Sequence, residues 1–403
     1  SVFIGGGTPS VLLPEQTIRI METLKSCFIL TNTCEISMEM NPGTVTPEKM
    51  NAYRACGINR ISIGLQSAND GELKALGRIH TCADFLKAYE MAVEAGFTNI
   101  NVDLMSAIPE QTLKSYQETL QKVLALQPQP VHISAYSLIV EEGTPFYEQE
   151  LNLPDEETER RMYEITDDIL RNAGYHRYEI SNYAKAGKEC VHNKVYWQRG
   201  NYLGLGIGSA SLIQNVRFHN VTDVSSYVNL MLGENSTGNE IENEIENASK
   251  ECGEKFQVEK DCLKKSNTEK DCLKKNNAGK NDLKKENAEK EQVGKLTAEK
   301  EQVEKVNAEI ENVKKDNIEK NSAEEGNTEK NNIQSGNAAR PDKNMIGRVK
   351  KLREEVQELP IEEQMEEFMF LGLRMMEGVS ERSFFENFGR RFEEVFPGVI
   401  EKH

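Results

Sequence analysis

Four polar residues stand where chemistry could be done: Glu39, Gln66, Asp103 and Tyr136. Each lies near the end of a short run in which polar and apolar residues alternate. The runs are Glu35-Ile36-Ser37-Met38-Glu39-Met40, Arg60-Ile61-Ser62-Ile63-Gly64-Leu65-Gln66, Asn99-Ile100-Asn101-Val102-Asp103-Leu104 and His132-Ile133-Ser134-Ala135-Tyr136-Ser137. Successive side chains of a strand point to opposite faces. One face is therefore aliphatic, with Ile36, Met38, Ile61, Ile63, Ile100 and Val102. The other carries Glu35, Ser37 and Glu39; Arg60, Ser62 and Gln66; Asn101 and Asp103; His132, Ser134 and Tyr136. Parallel strands covered on both sides read as unbroken apolar runs. A hydrophilic inner face implies a sheet that encloses a polar ligand, with these four residues at the carboxyl ends where αβ barrels place their chemistry. An exposed antiparallel face gives the same alternation, but helix-length runs between the strands argue against it.

Two further stretches carry chemical potential. Ser1-Val2-Phe3-Ile4 runs straight into Gly5-Gly6-Gly7-Thr8-Pro9-Ser10. Glycine permits close approach and leaves N–H groups bare for the charged end of a ligand. An ordinary tight turn uses the same residues, and these ten alone do not separate the two. The second stretch, Cys190-Val191-His192-Asn193-Lys194-Val195-Tyr196-Trp197, sets an imidazole beside two aromatic rings and holds the chain's only Trp. His132 and His176 read as structural. Gly204-x-Gly206-x-Gly208 lacks the acid expected about 20 residues after a dinucleotide fingerprint, so it reads as a tight turn beside the site.

The elements that must position these residues alternate. Helices are predicted near 14–28, 46–55, 81–95, 111–126 and 155–172; in the third, Phe85, Leu86, Tyr89, Ala92 and Val93 share one stripe. Repeated strand–helix units imply right-handed crossovers and a parallel sheet or barrel over residues 1–180. Residues 181–235 change character, becoming rich in Tyr and Asn. Residues 236–343 form a low-complexity insertion built on a decapeptide, as in Glu259-Lys260-Asp261-Cys262-Leu263-Lys264-Lys265-Ser266-Asn267-Thr268. One aliphatic per ten residues does not offset the ordering entropy, so this insertion is expected to be disordered. Residues 344–403 regain a helical pattern, with Phe368, Leu371, Met375 and Met376 on one face.

The 403 residues carry a net charge of −17, with a pI near 5.1 and a mean hydropathy of −0.61. This balance argues against nucleic-acid or anionic-membrane partners, which need a basic surface. No apolar run approaches the roughly 20 residues that span a bilayer. Eight cysteines without a secretory signal read as reduced thiols of a cytoplasmic protein. The first residue is Ser and falls inside a strand, so the chain reads as a fragment.

Five motifs occur in the order and spacing of one family: Gly5-Gly6-Gly7-Thr8-Pro9-Ser10, Glu39-Met40-Asn41-Pro42-Gly43, Ser62-Ile63-Gly64-Leu65-Gln66-Ser67, Leu76-Gly77-Arg78-Ile79-His80 and Asp103-Leu104-Met105. They resemble the radical S-adenosylmethionine (SAM) proteins of the oxygen-independent coproporphyrinogen III oxidase group. His192-Asn193-x-x-Tyr196-Trp197 resembles the HemW-type heme chaperones within it. The resemblance implies a partial αβ barrel with a small, mainly helical C-terminal domain, binding SAM, a [4Fe–4S] cluster and heme. It implies SAM contacts at Gly6, Gly7, Thr8, Glu39, Gln66, Arg78, Asp103 and Ser137. For Arg78, a plain ion pair with Glu72 is the competing reading. The resemblance further implies a heme site at His192, Asn193, Tyr196 and Trp197, with the two rings flanking the porphyrin. The family holds its cluster with C-x3-C-x2-C just before the first strand. None of the eight cysteines has that spacing, so the cluster ligands are expected upstream of Ser1. The implied activity is that of a heme chaperone passing heme to a respiratory hemoprotein. The alternative is SAM-dependent decarboxylation of coproporphyrinogen III to protoporphyrinogen IX.

Overall fold

The computed structural model of the chain describes residues 1–232 and 348–398. The decapeptide segment, with Cys252, Cys262 and Cys272, lies outside the described residues. Where the sequence alternates, strands form: β1 (Val2–Ile4), β2 (Ile36–Met40), β3 (Arg60–Gln66), β4 (Ile100–Ser106) and β5 (His132–Ser137). They lie side by side in chain order, all parallel. Met38 stands opposite Ile61, Ile61 opposite Ile100, and Val102 opposite Ile133. The aliphatic residues therefore form one layer, and the residues between them form a polar layer on the other face.

Helices cover the aliphatic layer: α1 (Pro14–Cys27), α2 (Pro47–Cys56), α3 (Asp70–Ala75), α4 (Cys82–Glu94), α5 (Leu113–Leu124) and α6 (Glu156–Asn172). Thr46, Thr81, Thr112 and Asp155 cap α2, α4, α5 and α6, each side chain accepting from a backbone N–H of the first turn. Met21, Met38, Ile61, Phe85, Leu104 and Tyr116 are buried between the two layers. After β5 the sheet continues with β6 (His176–Arg177) and β7 (Asn182–Ala184), in the order β1-β2-β3-β4-β5-β7-β6. The last two pairings are antiparallel. The result is the partial barrel that the resemblance implies, with the polar inner face that the alternation predicts.

Past the barrel come α7 (Val191–Trp197), β8 (Ala210–Ile213), β9 (Val216–Asn220) and α8 (Val224–Leu232). The C-terminal region differs from its helical pattern, because it opens on a strand, β10 (Arg353–Glu358), in a three-stranded sheet of order β10-β9-β8. All six of its residues are exposed, so no hydrophobic alternation marks it. Then follow α9 (Ile361–Gly372), α10 (Glu381–Phe388) and α11 (Phe392–Val395). Phe384 is buried at their centre, in ring contact with Phe368, Phe388, Phe392 and Phe396. Two units are distinguishable: Ser1–Asn220 with Glu354–His403, and Val221–Arg353. In the second, the Val221 N–H donates to the Leu352 carbonyl at 2.9 Å. Among the described residues no helix is long and apolar enough to cross a membrane.

Candidate functional site

A cavity of about 200 Å³ opens at the carboxyl ends of the parallel strands. Gly7, Thr8 and Pro9 border it after β1, Glu39 and Asn41 at the end of β2, and Ser62, Gly64 and Gln66 from β3. Asp103 from β4, Tyr136 from β5 and Arg78 from the loop after α3 complete the wall. Of the residues to which the resemblance assigns SAM contacts, the structure brings Gly7, Thr8, Glu39, Gln66, Arg78 and Asp103 together here. Gly6 and Ser137 stand outside the wall. The Gly6 N–H donates to Glu39 Oε2 at 3.3 Å, and the Ser137 hydroxyl lies 3.1 Å from that of Ser106.

Local backbone geometry shapes this wall. Gly6 and Gly7 have φ of 83° and 62°, the left-handed region that glycine enters without strain. Gln66 has φ 67° without being glycine, where the β3–β4 register shifts between Gly64 and Gln66. Its side chain folds back over β3: a Cβ at Gly64 would lie 2.9 Å from Gln66 Nε2. Gln66 is buried, and its Oε1 has no hydrogen-bond partner. A buried, unpaired acceptor at a cavity wall calls for a donor from a ligand.

Two carboxylates face the same space. Burial raises the pKa of Glu39; the Gly6 N–H opposes this and Asp103 adds to it. Burial likewise raises Asp103, against hydrogen bonds from Ser62, Asn101 and Ser134 and the charge of Arg60. Asp103 accepts from Ser62 Oγ and from Asn101 Nδ2, both at 2.7 Å. Arg78 does not pair with Glu72, the competing reading of its role. The buried Glu72 carboxylate accepts instead from Ser67 Oγ at 2.6 Å and Gln111 Nε2 at 3.1 Å. The wall thus offers two carboxylates, an orphaned amide oxygen, a guanidinium and a phenol. That set fits a zwitterion bearing hydroxyls, as SAM is. A cavity of this volume is smaller than a whole-nucleotide site, so it suits one polar end of such a molecule.

The second cluster is on α7. Glu35 Oε1 accepts from the His192 N–H at 3.3 Å and from Cys190 Sγ at 3.5 Å, which anchors the start of the helix. The His192 ring is stacked on Phe3 at 5.0 Å. Its Nδ1 lies 3.1 Å from Ser1 Oγ and its Nε2 3.0 Å from the Tyr196 hydroxyl. Burial lowers the His192 pKa, which favours the neutral imidazole that ligates metals. Tyr196 also meets the Tyr202 ring at 4.6 Å. Trp197 has other neighbours: it packs on Tyr178, Ala184, Cys190 and Met375, with the Arg374 guanidinium 4.2 Å over its ring. The Tyr196 and Trp197 rings therefore serve different contacts in this structure. Asn193 follows His192 in the first turn of α7.

His176 pairs with Glu189 at 2.8 Å. The Gly204–Gly208 stretch is a tight turn, where a Cβ at Gly204 would stand 2.3 Å from the Ala210 carbonyl oxygen. Ser62 and Asn101, to which the resemblance assigns no contact, hold Asp103; the two-residue alternation places both on the inner face. Cys27, Cys34, Cys56, Cys82 and Cys190 are free. Among the described residues no group of three or more His, Cys, Asp or Glu could hold a metal ion. These residues do not fit a [4Fe–4S] cluster.

Comparison with known proteins finds similarity at both ends of the chain. Residues 1–123 match the radical SAM superfamily, and residues 359–403 match the HemN C-terminal domain. The chain is 39% identical over 236 residues to the heme chaperone HemW of Bacillus subtilis, covering 57% of this chain and 62% of that protein. It is 41% identical over 209 residues to the heme chaperone HemW of Haemophilus influenzae, covering 52% and 54%. The chain thus spans under two thirds of the length of these curated relatives. Among solved structures, coproporphyrinogen III oxidase (HemN) from Escherichia coli, described as a radical SAM enzyme, shares the fold. Its TM-score is 0.51 at 24% identity, over 58% of this chain and 56% of that one. A radical SAM domain implies SAM and a [4Fe–4S] cluster as cofactors. The chain thus resembles the radical SAM superfamily at its start and the HemN C-terminal domain at its end.

Proposed function

We propose that the chain is a heme chaperone, binding SAM in the barrel cavity and heme at His192, and passing heme to a respiratory hemoprotein. The observation that carries this reading is that β1 serves both clusters. Its Phe3 ring supports His192, and the glycine turn that follows it borders the cavity. In the cavity, Glu39 and Asp103 accept from the ammonium or ribose hydroxyls of SAM, Gln66 Oε1 accepts a further hydroxyl, and Arg78 takes the carboxylate. Bound SAM brings a sulfonium-activated adenosyl group to this space. At α7 the His192 Nε2 lone pair is the iron ligand, which requires the Tyr196 hydroxyl to give up its hydrogen bond. Tyr196 carries the aromatic surface beside it, while Trp197 supports α7 from its other side. The free cysteines support a reducing, cytoplasmic setting.

Heme titration followed by Soret absorbance tests the reading in the wild type and in His192→Ala. The wild type is expected to bind more tightly, with a ligand-dependent Soret position. Equal affinity and equal spectra would remove His192 as the ligand. The HemN C-terminal domain favours one other activity, the decarboxylation of coproporphyrinogen III. Protoporphyrinogen formed from that substrate with SAM and reductant would replace the chaperone reading.

A further inference from the structure

The polar interior beneath the cavity is ordered as a chain of donors. Across three neighbouring strands, Asn101 of β4 stands opposite Ser62 of β3 and His132 of β5. Asn101 Nδ2 is 2.7 Å from both Asp103 Oδ1 and Ser62 Oγ. A carboxylate only accepts, so the amide nitrogen must face Asp103 and the amide oxygen must face away. That oxygen meets His132 Nδ1 at 2.6 Å and Ser134 Oγ at 3.2 Å. An amide oxygen also only accepts, so His132 carries a proton on Nδ1. Burial, and then Arg60, hold the His132 pKa well below its ordinary value. The ring is therefore neutral and its Nε2 an acceptor, which takes the proton of the Tyr178 hydroxyl at 2.9 Å. Tyr178 in turn accepts the Cys190 N–H at 3.3 Å. Every donor points one way, from the residue before α7 to the carboxylate at the cavity.

We propose that His132 is a positioning residue for the cavity: its Nδ1–H fixes the Asn101 amide, and Asn101 holds Asp103 with its outer lone pairs turned to the ligand. This rests on the reading of the cavity as a SAM site. The groups facing Asp103 are Glu39 from β2, Arg60 from β3, Tyr136 from β5 and, across the cavity, Arg78. Without the Nδ1–H, only the longer Ser134 contact holds the Asn101 oxygen, and the amide can turn that oxygen on Asp103. A donor is then replaced by an acceptor, and the protonated acid gains. Because the ionised form accepts the ligand's hydroxyl or ammonium, SAM binding strengthens as pH rises through the Asp103 pKa. In a variant lacking the donor, that rise moves to higher pH.

Two readouts decide the matter on the full chain. Nitrogen-15 NMR of histidine-labelled protein, with the His132 signals identified by their loss in His132→Asn, reads the tautomer. Neutral imidazole protonated on Nδ1 is expected, and a proton on Nε2 overturns the proposal without need of any variant's affinity. Equilibrium dialysis with labelled SAM gives the pH profile of binding. His132→Leu is expected to move the profile up by about one unit and so to weaken binding about tenfold on its acid side. His132→Asn, whose amide can donate toward Asn101, is expected to recover most of both. Superimposed profiles for wild type and His132→Leu overturn the positioning role alone. A wild type that takes up no SAM overturns the reading of the cavity itself, and the role of His132 there with it.

Discussion

Gly64 has no side chain because the Gln66 amide occupies the space a side chain would need. The atom that a Cβ would meet is the end of a flexible side chain, not backbone, and Gly64 is not among the glycines of positive φ. Gly64→Ala should therefore cost little stability, under about 1 kcal/mol, while pushing the Gln66 amide off its place at the wall. The expected outcome is a near-unchanged denaturation midpoint with SAM binding weakened on the order of tenfold. A folded alanine variant that binds SAM as the wild type does would show that Gln66 holds nothing. At this scale legibility was uneven. Strict alternation revealed that Glu39 and Asp103 point inward, since one register decides every side chain of a strand. The left-handed backbone of Gln66 left no trace, because glycine advertises such geometry and glutamine does not. Arg78, in a loop with no periodicity, entered only through the family motif.

Elements were legible in proportion to how far local pattern alone determines them. β2 to β5 and the helices α1, α2, α4, α5 and α6 repeat with periods of two and 3.6 residues and carry caps or opening prolines. β6 and β7 are two and three residues long, and β10 is wholly exposed; tertiary pairing makes them strands. The seven residues of α7 are fewer than a lone helix needs for stability in water, and the residue before it, Cys190, supplies no side-chain cap. Glu35, from the far end of the sequence, takes that place. Glu35→Ala should remove the acceptor of the His192 N–H and cost about 1–2 kcal/mol. Heme titration should then show weaker binding, with SAM binding at the barrel cavity retained. Glu35→Gln keeps an amide oxygen as acceptor and should recover most of the loss. If heme affinity in Glu35→Ala matches the wild type, the start of α7 needs no anchor.

Across the molecule, the C-terminal helices are joined to the region after α7 by charge as well as by apolar packing. Glu367 of α9 accepts from Arg199 Nε at 3.0 Å and pairs with Arg217 Nη1 at 2.7 Å. The Arg199 and Glu367 side chains are only 9% and 8% exposed, so little water compensates either charge if the other is removed. Arg199 also donates to Asn215 Oδ1 at 2.8 Å, which ties the β8–β9 turn to the same pair. Close by in sequence, Arg374 and Met375 pack on Trp197, so residues just past α9 complete the environment of α7. Burying two ions is costly, and removing one alone costs more than exchanging both for apolar groups. Glu367→Ala is thus expected to lower unfolding stability by about 3–5 kcal/mol. Arg199→Met with Glu367→Met should lose much less, since no buried charge is left stranded; Arg217, which also loses its partner, is half-exposed to water. Urea titration followed by tryptophan fluorescence suits the test, because the only Trp lies under Arg374 at this junction. A double variant as unstable as Glu367→Ala would mean that shape at the junction, not the pairing of charge, holds the C-terminal domain in place.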